Sequence, residues 1–180
     1  PLFKYGFVMN WLANLSTQRT PWLLFSGIVF LLEVIALFFQ YNMGLAPCIM
    51  CIYQRTAVLG LLFAGIIGAS KPNNLVVRIV AYTVWGVSSV WGLLIAREHI
   101  EMQTTTDPFA FSCEFEPNFP EFMPLHHWIP QFFEATGDCG NIDWQFAGLS
   151  MPAWMEVIFV LFTATLIALV ASRLISKKSL

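Results

Sequence analysis

Two cysteines separated by two residues, Cys48 and Cys51, are the side chains with the clearest chemical potential in this sequence. They lie where a short polar turn gives way to a long apolar run, so both are expected at the start of a helix. Arg55 follows Cys51 by one helical turn and would share its face. A cysteine at a helix N-terminus beside a cation is stabilised as the thiolate, which is its reactive form. The pattern predicts a redox-active pair from which electrons leave the protein at a membrane surface.

The composition indicates an integral membrane protein. Hydrophobic residues make up 57% of the 180 residues and charged residues only 11%, whereas soluble proteins carry about 25% charged residues. Four apolar runs are each long enough to cross a bilayer. They predict spans at about 22–40, 52–69, 76–96 and 154–172, separated by loops that include 41–51 and 97–153. The predicted fold is one all-α membrane domain over 1–180, a four-transmembrane-helix bundle with a long, mostly irregular loop.

The basic residues indicate how this bundle is oriented. Seven of the nine Lys and Arg residues fall on one side of the predicted spans, and only Arg55 and Arg97 fall on the other. By the positive-inside rule, both termini are expected in the cytoplasm and the loops 41–51 and 97–153 outside it. All four cysteines would then lie in an oxidising compartment, where disulfides persist. The first twenty residues lack the apolar core of a cleavable signal peptide, so none is expected.

The other two cysteines, Cys113 and Cys139, lie in the long loop, and four cysteines allow three pairings. A bond between Cys48 and Cys51 is sterically reasonable at a helix start, which leaves Cys113 for Cys139. Either bond could be a structural staple rather than a redox centre. A four-cysteine zinc site is a further alternative, but such sites usually repeat a close-spaced pair and the second pair here is widely spaced. No metal is therefore expected.

Three ionisable residues in or beside the spans have open roles. Glu33 lies about two-thirds along the first span, where a charged acid costs about 2.5–3.5 kcal/mol and usually faces a bundle interior. A structural and a functional role for it remain equally open. His99 is expected at the membrane level of Cys51, either solvated or donating a hydrogen bond or proton to a reducible ring. Arg55 could pair with Cys51 or a cofactor oxygen, or extend outward to water.

Taken together, these residues resemble the disulfide bond formation protein B (DsbB) family over nearly the whole chain. A lone CxxC would not be specific, whereas the motifs jointly are. They are Glu33, Pro47-Cys48-x-x-Cys51-Ile52-Tyr53-x-Arg55, Glu98-His99, Pro108-Phe109-Ala110-x-x-Cys113, Phe119-Pro120-Glu121, Gly137-Asp138-Cys139 and Leu149-x-Met151-Pro152-x-Trp154.

The resemblance implies a quinone-dependent thiol oxidase of the bacterial inner membrane that reoxidises a soluble periplasmic dithiol oxidase of the DsbA type. It implies that Cys113 forms a mixed disulfide with this partner and that Cys139 is the other half of the loop disulfide. Cys48 and Cys51 would receive the electrons by exchange, by way of a transient link between Cys48 and Cys139. Cys51 would then pass the electron pair to ubiquinone or menaquinone.

The resemblance also implies that Arg55 and His99 bind this quinone. The expected partners are thus a DsbA-like protein, a membrane quinone and the lipid bilayer, with no nucleic acid. Three other functions stay open: a dedicated relative serving a specialised partner, a reductase of the vitamin K epoxide type, and a non-catalytic membrane scaffold with two structural disulfides. The vitamin K type carries its CxxC in the last span of the bundle, whereas Cys48 and Cys51 open the second span here.

Overall fold

The computed structural model describes residues 2–105 and 116–177. A two-stranded hairpin is the one sheet in these ranges. Its turn residues Ala147 and Gly148 both have positive φ angles, 51° and 80°, as a tight two-residue turn requires. The elements in chain order are α1 (Leu2–Leu15), α2 (Arg19–Tyr41), α3 (Ile49–Ser70), α4 (Leu75–Thr104), α5 (Leu125–Trp128), α6 (Pro130–Phe133), β1 (Gln145–Phe146), β2 (Leu149–Ser150) and α7 (Met151–Lys177).

Within the described part of the chain, four helices are long and apolar enough to cross a membrane: α2, α3, α4 and α7. The prediction of an all-α bundle with four spans is therefore confirmed. Helix α3 packs against α2 and α4, and α4 packs against α7. Large apolar side chains such as Leu24 and Phe30 of α2 and Leu161 of α7 point outward and are exposed. Outward apolar faces of this kind suit a lipid environment.

Helix α4 is longer than the third predicted span. It begins at an N-cap, Asn74, whose side-chain oxygen accepts hydrogen bonds from the backbone of Val76 and Val77. It continues past residue 96 to Thr104, so that His99 lies on the helix rather than in the loop. An apolar run predicts only the membrane-spanning part of a helix. Charged residues with good helix propensity can extend the same helix beyond the membrane, and α4 is extended in this way.

Small residues allow the spanning helices to approach one another closely. Gly68 of α3 lies against the indole ring of Trp22 in α2, and Gly92 of α4 lies against the ring of Phe159 in α7. A Cβ atom at either glycine would overlap the ring. Close van der Waals packing is a main source of attraction between helices in lipid, because burial from water no longer drives them together. Each glycine therefore lets one pair of spanning helices, α3 with α2 or α4 with α7, come close together.

We call the end of the bundle at which α2 ends and α3 begins the cysteine end, and the other the opposite end. Helix α1, which was not predicted from the sequence, packs against α7. Arg173 of α7 donates hydrogen bonds to the backbone oxygen of Ala13 at 2.8 Å and to Ser16 Oγ at 3.3 Å. Trp22 Nε1 also donates to the backbone oxygen of Ser16. These bonds hold α1 against the opposite end.

The segment 116–150 is mostly irregular, as predicted, and folds back onto the cysteine end. The backbone N–H groups of Thr136 and Gly137 donate to the carbonyl oxygen of Pro47, at 2.9 and 3.0 Å. Glycine is needed at position 137 because a Cβ there would overlap the carbonyl group of Ala46. This close backbone approach carries Cys139 to the start of α3, where it is buried among the first residues of the helix.

Candidate redox site

The two close-spaced cysteines form the start of α3. Cys48 is the N-cap, and its sulfur accepts a hydrogen bond from the backbone N–H of Cys51 at 3.3 Å, as a Ser or Asp side chain does at most helix starts. Cys51 therefore lies in the first turn, with the two sulfur atoms 2.9 Å apart. The N-terminus of a helix favours negative charge on a side chain in its first turn. The geometry suits a dithiol that closes a disulfide with little movement and whose Cys51 sulfur carries the negative charge.

Cys139 packs against this pair from the loop. Cys48 is 3% exposed and Cys139 is 1% exposed. Hydrogen bonds to the side chains of Cys139 and Cys51, together with burial, raise the pKa of Cys48. Cys48 thus keeps its proton. It lies next to Cys139, with which the predicted thiol–disulfide exchange would occur. Cys113 lies outside the described residues, and so does its predicted bond to Cys139.

His99 reaches this group of sulfurs from α4. Its Nε2 atom lies 3.6 Å from Cys48 Sγ, and its Nδ1 atom lies 3.2 Å from Nε2 of Gln54. With the Gln54 amide donating to Nδ1, the proton of the neutral ring is on Nε2, facing Cys48 and the backbone of Cys139. His99 is 2% exposed, which excludes the alternative of a solvated interfacial histidine.

The sulfurs of Cys48 and Cys51 and a ring nitrogen of His99 lie within 4.8 Å of one another. Thiolates and imidazole at this spacing are also suitable ligands for a soft divalent ion such as Zn²⁺. The absence of a metal from the site therefore stays a prediction, and the thiol assays described below require a chelator.

Arg55 lies one turn further into α3 and is held by the end of α2 and by the loop. Its Nη1 atom donates to the backbone oxygen of Phe132 at 2.7 Å and to Gln40 Oε1 at 2.9 Å. The guanidinium group also lies over the Phe132 ring, 4.8 Å from the ring centre, a favourable cation–π arrangement. Its Nε atom is 4.0 Å from Glu33 Oε2, too far for a hydrogen bond. The side chain does not extend to water, because only 7% of it is exposed.

A cavity of about 210 Å³ lies beside these groups, and Glu33, Cys51, Arg55 and His99 all line it. Apolar walls with a few convergent polar groups are the usual form of a small-molecule site. Within the part of the chain that the structure describes, both carboxyl oxygens of Glu33 lack a hydrogen-bond partner, so the wall offers an unsatisfied polar group to a ligand that carries oxygen atoms. The apolar lining includes Leu32, Ile35, Ala36, Phe39, Val58, Met155 and Ile158.

The family model for disulfide bond formation protein DsbB matches residues 18–169. This chain belongs to the DsbB family. Three of its relatives are each called disulfide bond formation protein B. The one from Pseudoalteromonas translucida (strain TAC 125) is 83% identical over 172 residues, which cover 96% of this chain and 100% of the relative. Those from Pseudoalteromonas atlantica (strain T6c / ATCC BAA-1087) and Pasteurella multocida (strain Pm70) are 48% and 40% identical, over 96% and 92% of this chain and 100% and 93% of the relatives.

The resemblance inferred from the motifs is therefore confirmed, and the chain is a multi-pass membrane protein of a DsbB family concerned with disulfide bond formation. The structure brings five of the six residues predicted for a DsbB site together at the cysteine end. They are Cys48, Cys51, Arg55, His99 and Cys139.

Three residues of the site were missed by the sequence analysis: Gln40, Gln54 and Phe132. The two glutamines had a detectable signal, because polar side chains in or at the end of a membrane span usually face the bundle interior. Phe132 had none. It contacts Arg55 through its backbone oxygen and its ring, and that contact depends on where the loop returns to the bundle.

Proposed function

We propose that this DsbB-family protein is a membrane thiol:quinone oxidoreductase that reoxidises a periplasmic dithiol oxidase of the DsbA type. The proposal is carried by one observation: the Cys48–Cys51 pair opens α3 directly beside an apolar cavity that Arg55 and Glu33 also line. A pair of reactive thiols and a space for a small apolar molecule thus lie side by side. The location that fits this role is the bacterial inner membrane, with both termini in the cytoplasm and the cysteine end in the periplasm.

When bound, ubiquinone or menaquinone supplies a two-electron acceptor that dissolves in the bilayer. Arg55 and His99 would hold it beside Cys51, with the unsatisfied carboxyl group of Glu33 in the same wall. The high reduction potential of the partner requires an electron acceptor that is a stronger oxidant than an ordinary disulfide. DsbA has a reduction potential of about −120 mV, whereas structural disulfides typically lie below about −300 mV, so an ordinary protein disulfide could not reoxidise it.

The cysteines of the chain would relay the electrons by successive exchanges. The partner's thiolate would attack Cys113 of the loop disulfide and release Cys139, and the partner's second cysteine would then break the mixed disulfide, which leaves the partner oxidised and the loop pair reduced. Cys139, which already packs against Cys48, would next attack Cys48 of the Cys48–Cys51 disulfide. Cys51 leaves as a thiolate in the first turn of α3, where the helix N-terminus favours negative charge. Cys48 leaves in the following exchange, when Cys113 attacks Cys139 and re-forms the loop disulfide, and the proton on His99 Nε2 that faces Cys48 stabilises the charge on its sulfur.

The test is quinone reduction by the purified full-length protein in detergent, with a short-tailed ubiquinone, a chelator and a reduced DsbA-type protein. We expect one quinol to form for every two partner thiols that are lost, and no turnover in Cys51→Ser. In Cys113→Ser, oxidation of the partner should stop while dithiothreitol, a small dithiol that can reduce Cys48 and Cys51 directly, still supports quinone reduction. Partner oxidation that continues without quinone, or in Cys51→Ser, would contradict the proposal.

A further inference from the structure

Glu33 is a buried ionisable residue of the cavity that this relay leaves unused. Its side chain is 6% exposed, and neither carboxyl oxygen has a hydrogen-bond partner among residues 2–105 and 116–177. The neighbouring guanidinium group does not supply one, since Nη1 of Arg55 donates to Gln40 and Phe132 and its Nε lies 4.0 Å from the carboxyl group. A buried polar group in this state is costly unless a ligand completes its hydrogen bonds. The carboxyl group lines the cavity that Cys51 also lines.

The charges around the cavity limit which protonation states can follow one another. Arg55 is a permanent cation, and a Cys51 thiolate balances it while the cysteine pair is reduced. A Glu33 carboxylate at the same moment would leave an uncompensated negative charge inside the bundle, which is unfavourable in an apolar surrounding. The other carboxyl groups that line the cavity, Asp138 and Asp143, are exposed to water and do not share this constraint.

The balance changes when the cysteine pair is oxidised. The Cys51 sulfur becomes neutral in the disulfide, and Arg55 then needs another anion close by. Glu33 is the acid placed for this, with Oε2 4.0 Å from Arg55 Nε. One negative charge can therefore alternate between Cys51 and Glu33, and the sum of the charges on the three groups stays zero.

Building on the proposed function, we propose that Glu33 is a proton donor to the quinone, holding one proton while Cys51 is a thiolate and giving it to a ring oxygen as Cys48 and Cys51 form their disulfide. Two electrons leave the two sulfurs as the S–S bond forms, and the quinone takes them up. One proton comes from the Cys48 thiol and one from Glu33, so the product is a quinol and Glu33 remains as a carboxylate beside Arg55.

The next turnover restores the starting state. The incoming dithiol breaks the bond between Cys48 and Cys51 and brings two protons. One proton returns to Cys48, and the other goes to Glu33 in place of Cys51, which stays ionised. Protons, electrons and charge balance over the cycle without any further reactant, and Glu33 acts as a catalytic residue that contacts the substrate oxygen.

The kinetic test compares Glu33→Gln with the wild-type protein, using dithiothreitol as the electron donor and a short-tailed ubiquinone. Glutamine keeps the size of the side chain but cannot deliver the proton, so we expect kcat to fall about 100-fold, within the range for loss of a general acid, with a change in quinone KM below about threefold. Ser26→Ala is the matched control. Ser26 is a buried polar residue of the same helix that bonds to the Trp22 carbonyl and does not line the cavity, so wild-type kinetics are expected.

Chemical rescue separates proton transfer from a structural role. In Glu33→Ala the missing carboxyl group leaves space for formic acid, and we expect added formic acid to raise kcat at least about tenfold, as a small general acid can. The same acid should have no effect on Glu33→Gln, in which the space is filled. Absence of rescue, or an equal effect in both variants, would overturn the assignment.

A readout independent of turnover comes from infrared difference spectroscopy of the protein without quinone. The carbonyl stretch of a protonated carboxyl group should be present when the cysteines are reduced, disappear when they are oxidised, and be absent from Glu33→Gln in both states. A band that does not respond to oxidation would overturn the proposal, as would a kcat for Glu33→Gln within twofold of wild type. Either result would refute the role of Glu33 but not the quinone reductase function, provided that the wild-type protein reduces quinone. A wild-type protein that reduces no quinone would refute that function itself.

Discussion

Arg55 at the cysteine end and Arg173 at the opposite end are both buried, with 7% and 5% of their surface exposed. Each donates from Nη1 to a backbone carbonyl oxygen, that of Phe132 for Arg55 and that of Ala13 for Arg173. Their surroundings differ. Arg173 also donates to a hydroxyl group and joins α1 to α7. Arg55 instead lies at a cavity lined by a cysteine pair and by a carboxyl group that accepts no hydrogen bond from any residue that the structure describes.

The comparison shows that a buried guanidinium group in a membrane bundle does not by itself mark a reactive site. A cation in an apolar setting must be held by hydrogen bonds wherever it occurs. At the opposite end these bonds fasten one helix to another. At the cysteine end they fix the orientation of a cation that lies beside thiol and carboxyl groups. Three substitutions test this difference.

The largest effect is expected for Arg55→Met, which removes the cation while keeping an apolar side chain of similar length. Loss of one group that stabilises developing negative charge costs about 10²–10³ in kcat, and quinone turnover driven by dithiothreitol should fall by this amount. Steady-state kinetics at several quinone concentrations measure it, with circular dichroism as the check on folding. Quinone kinetics equal to wild type would contradict the proposed difference between the two arginines, because Arg55 would then have only a structural role, as Arg173 does.

A smaller effect is expected for His99→Gln, which removes the ring that faces Cys48. The exchange between the loop cysteines and Cys48 should slow about 10²-fold, at the lower end of the range for positioned proton donors. Rapid mixing of the protein with reduced DsbA-type partner, followed by alkylation of free thiols, measures this step. His127→Gln, at an exposed position of α5, is the control and should behave as wild type. An unchanged exchange rate in His99→Gln would show that the contact with Cys48 only packs the helices.

The smallest functional effect is expected for Arg173→Met. It removes the hydrogen bonds to Ala13 and Ser16, so the protein should lose about 1.5–3 kcal/mol of stability, the range for a hydrogen bond from a charged group. Thermal unfolding in detergent measures the loss, and quinone turnover per folded molecule should stay at the wild-type value. A large fall in turnover without a change in stability would mean that the opposite end also takes part in the reaction.

The parts of this molecule that could be predicted from sequence are those set by local patterns. The four spans follow from the lengths of the apolar runs, and the position of Cys48 and Cys51 at a helix start follows from the turn before them. His99 was expected only at the membrane level of Cys51, and its contact with Cys48 was not predicted. Its partner Gln54 was not anticipated, although an amide inside an apolar run was a usable signal.

The cavity itself could not be predicted, because it depends on contacts between residues far apart in sequence. Gln40 and Phe132 meet at Arg55 only when α2, α3 and the returning loop are in place. The same holds for Glu33. Its burial was expected, but the absence of a hydrogen bond to its carboxyl group depends on Arg55 turning toward other partners. The length of α4 was underestimated because its last turns are polar and continue by helix propensity rather than hydrophobicity.

The most direct test of the central claim is the visible absorption spectrum of the reduced protein mixed with quinone. If the Cys51 sulfur is ionised and faces the cavity that takes the quinone, a visible band should appear that neither component shows alone. The band should persist in Cys48→Ser, in which no disulfide can form with Cys51, and should be absent from Cys51→Ser. A band of equal strength in Cys51→Ser, or no band in any variant although the quinone binds, would contradict the account.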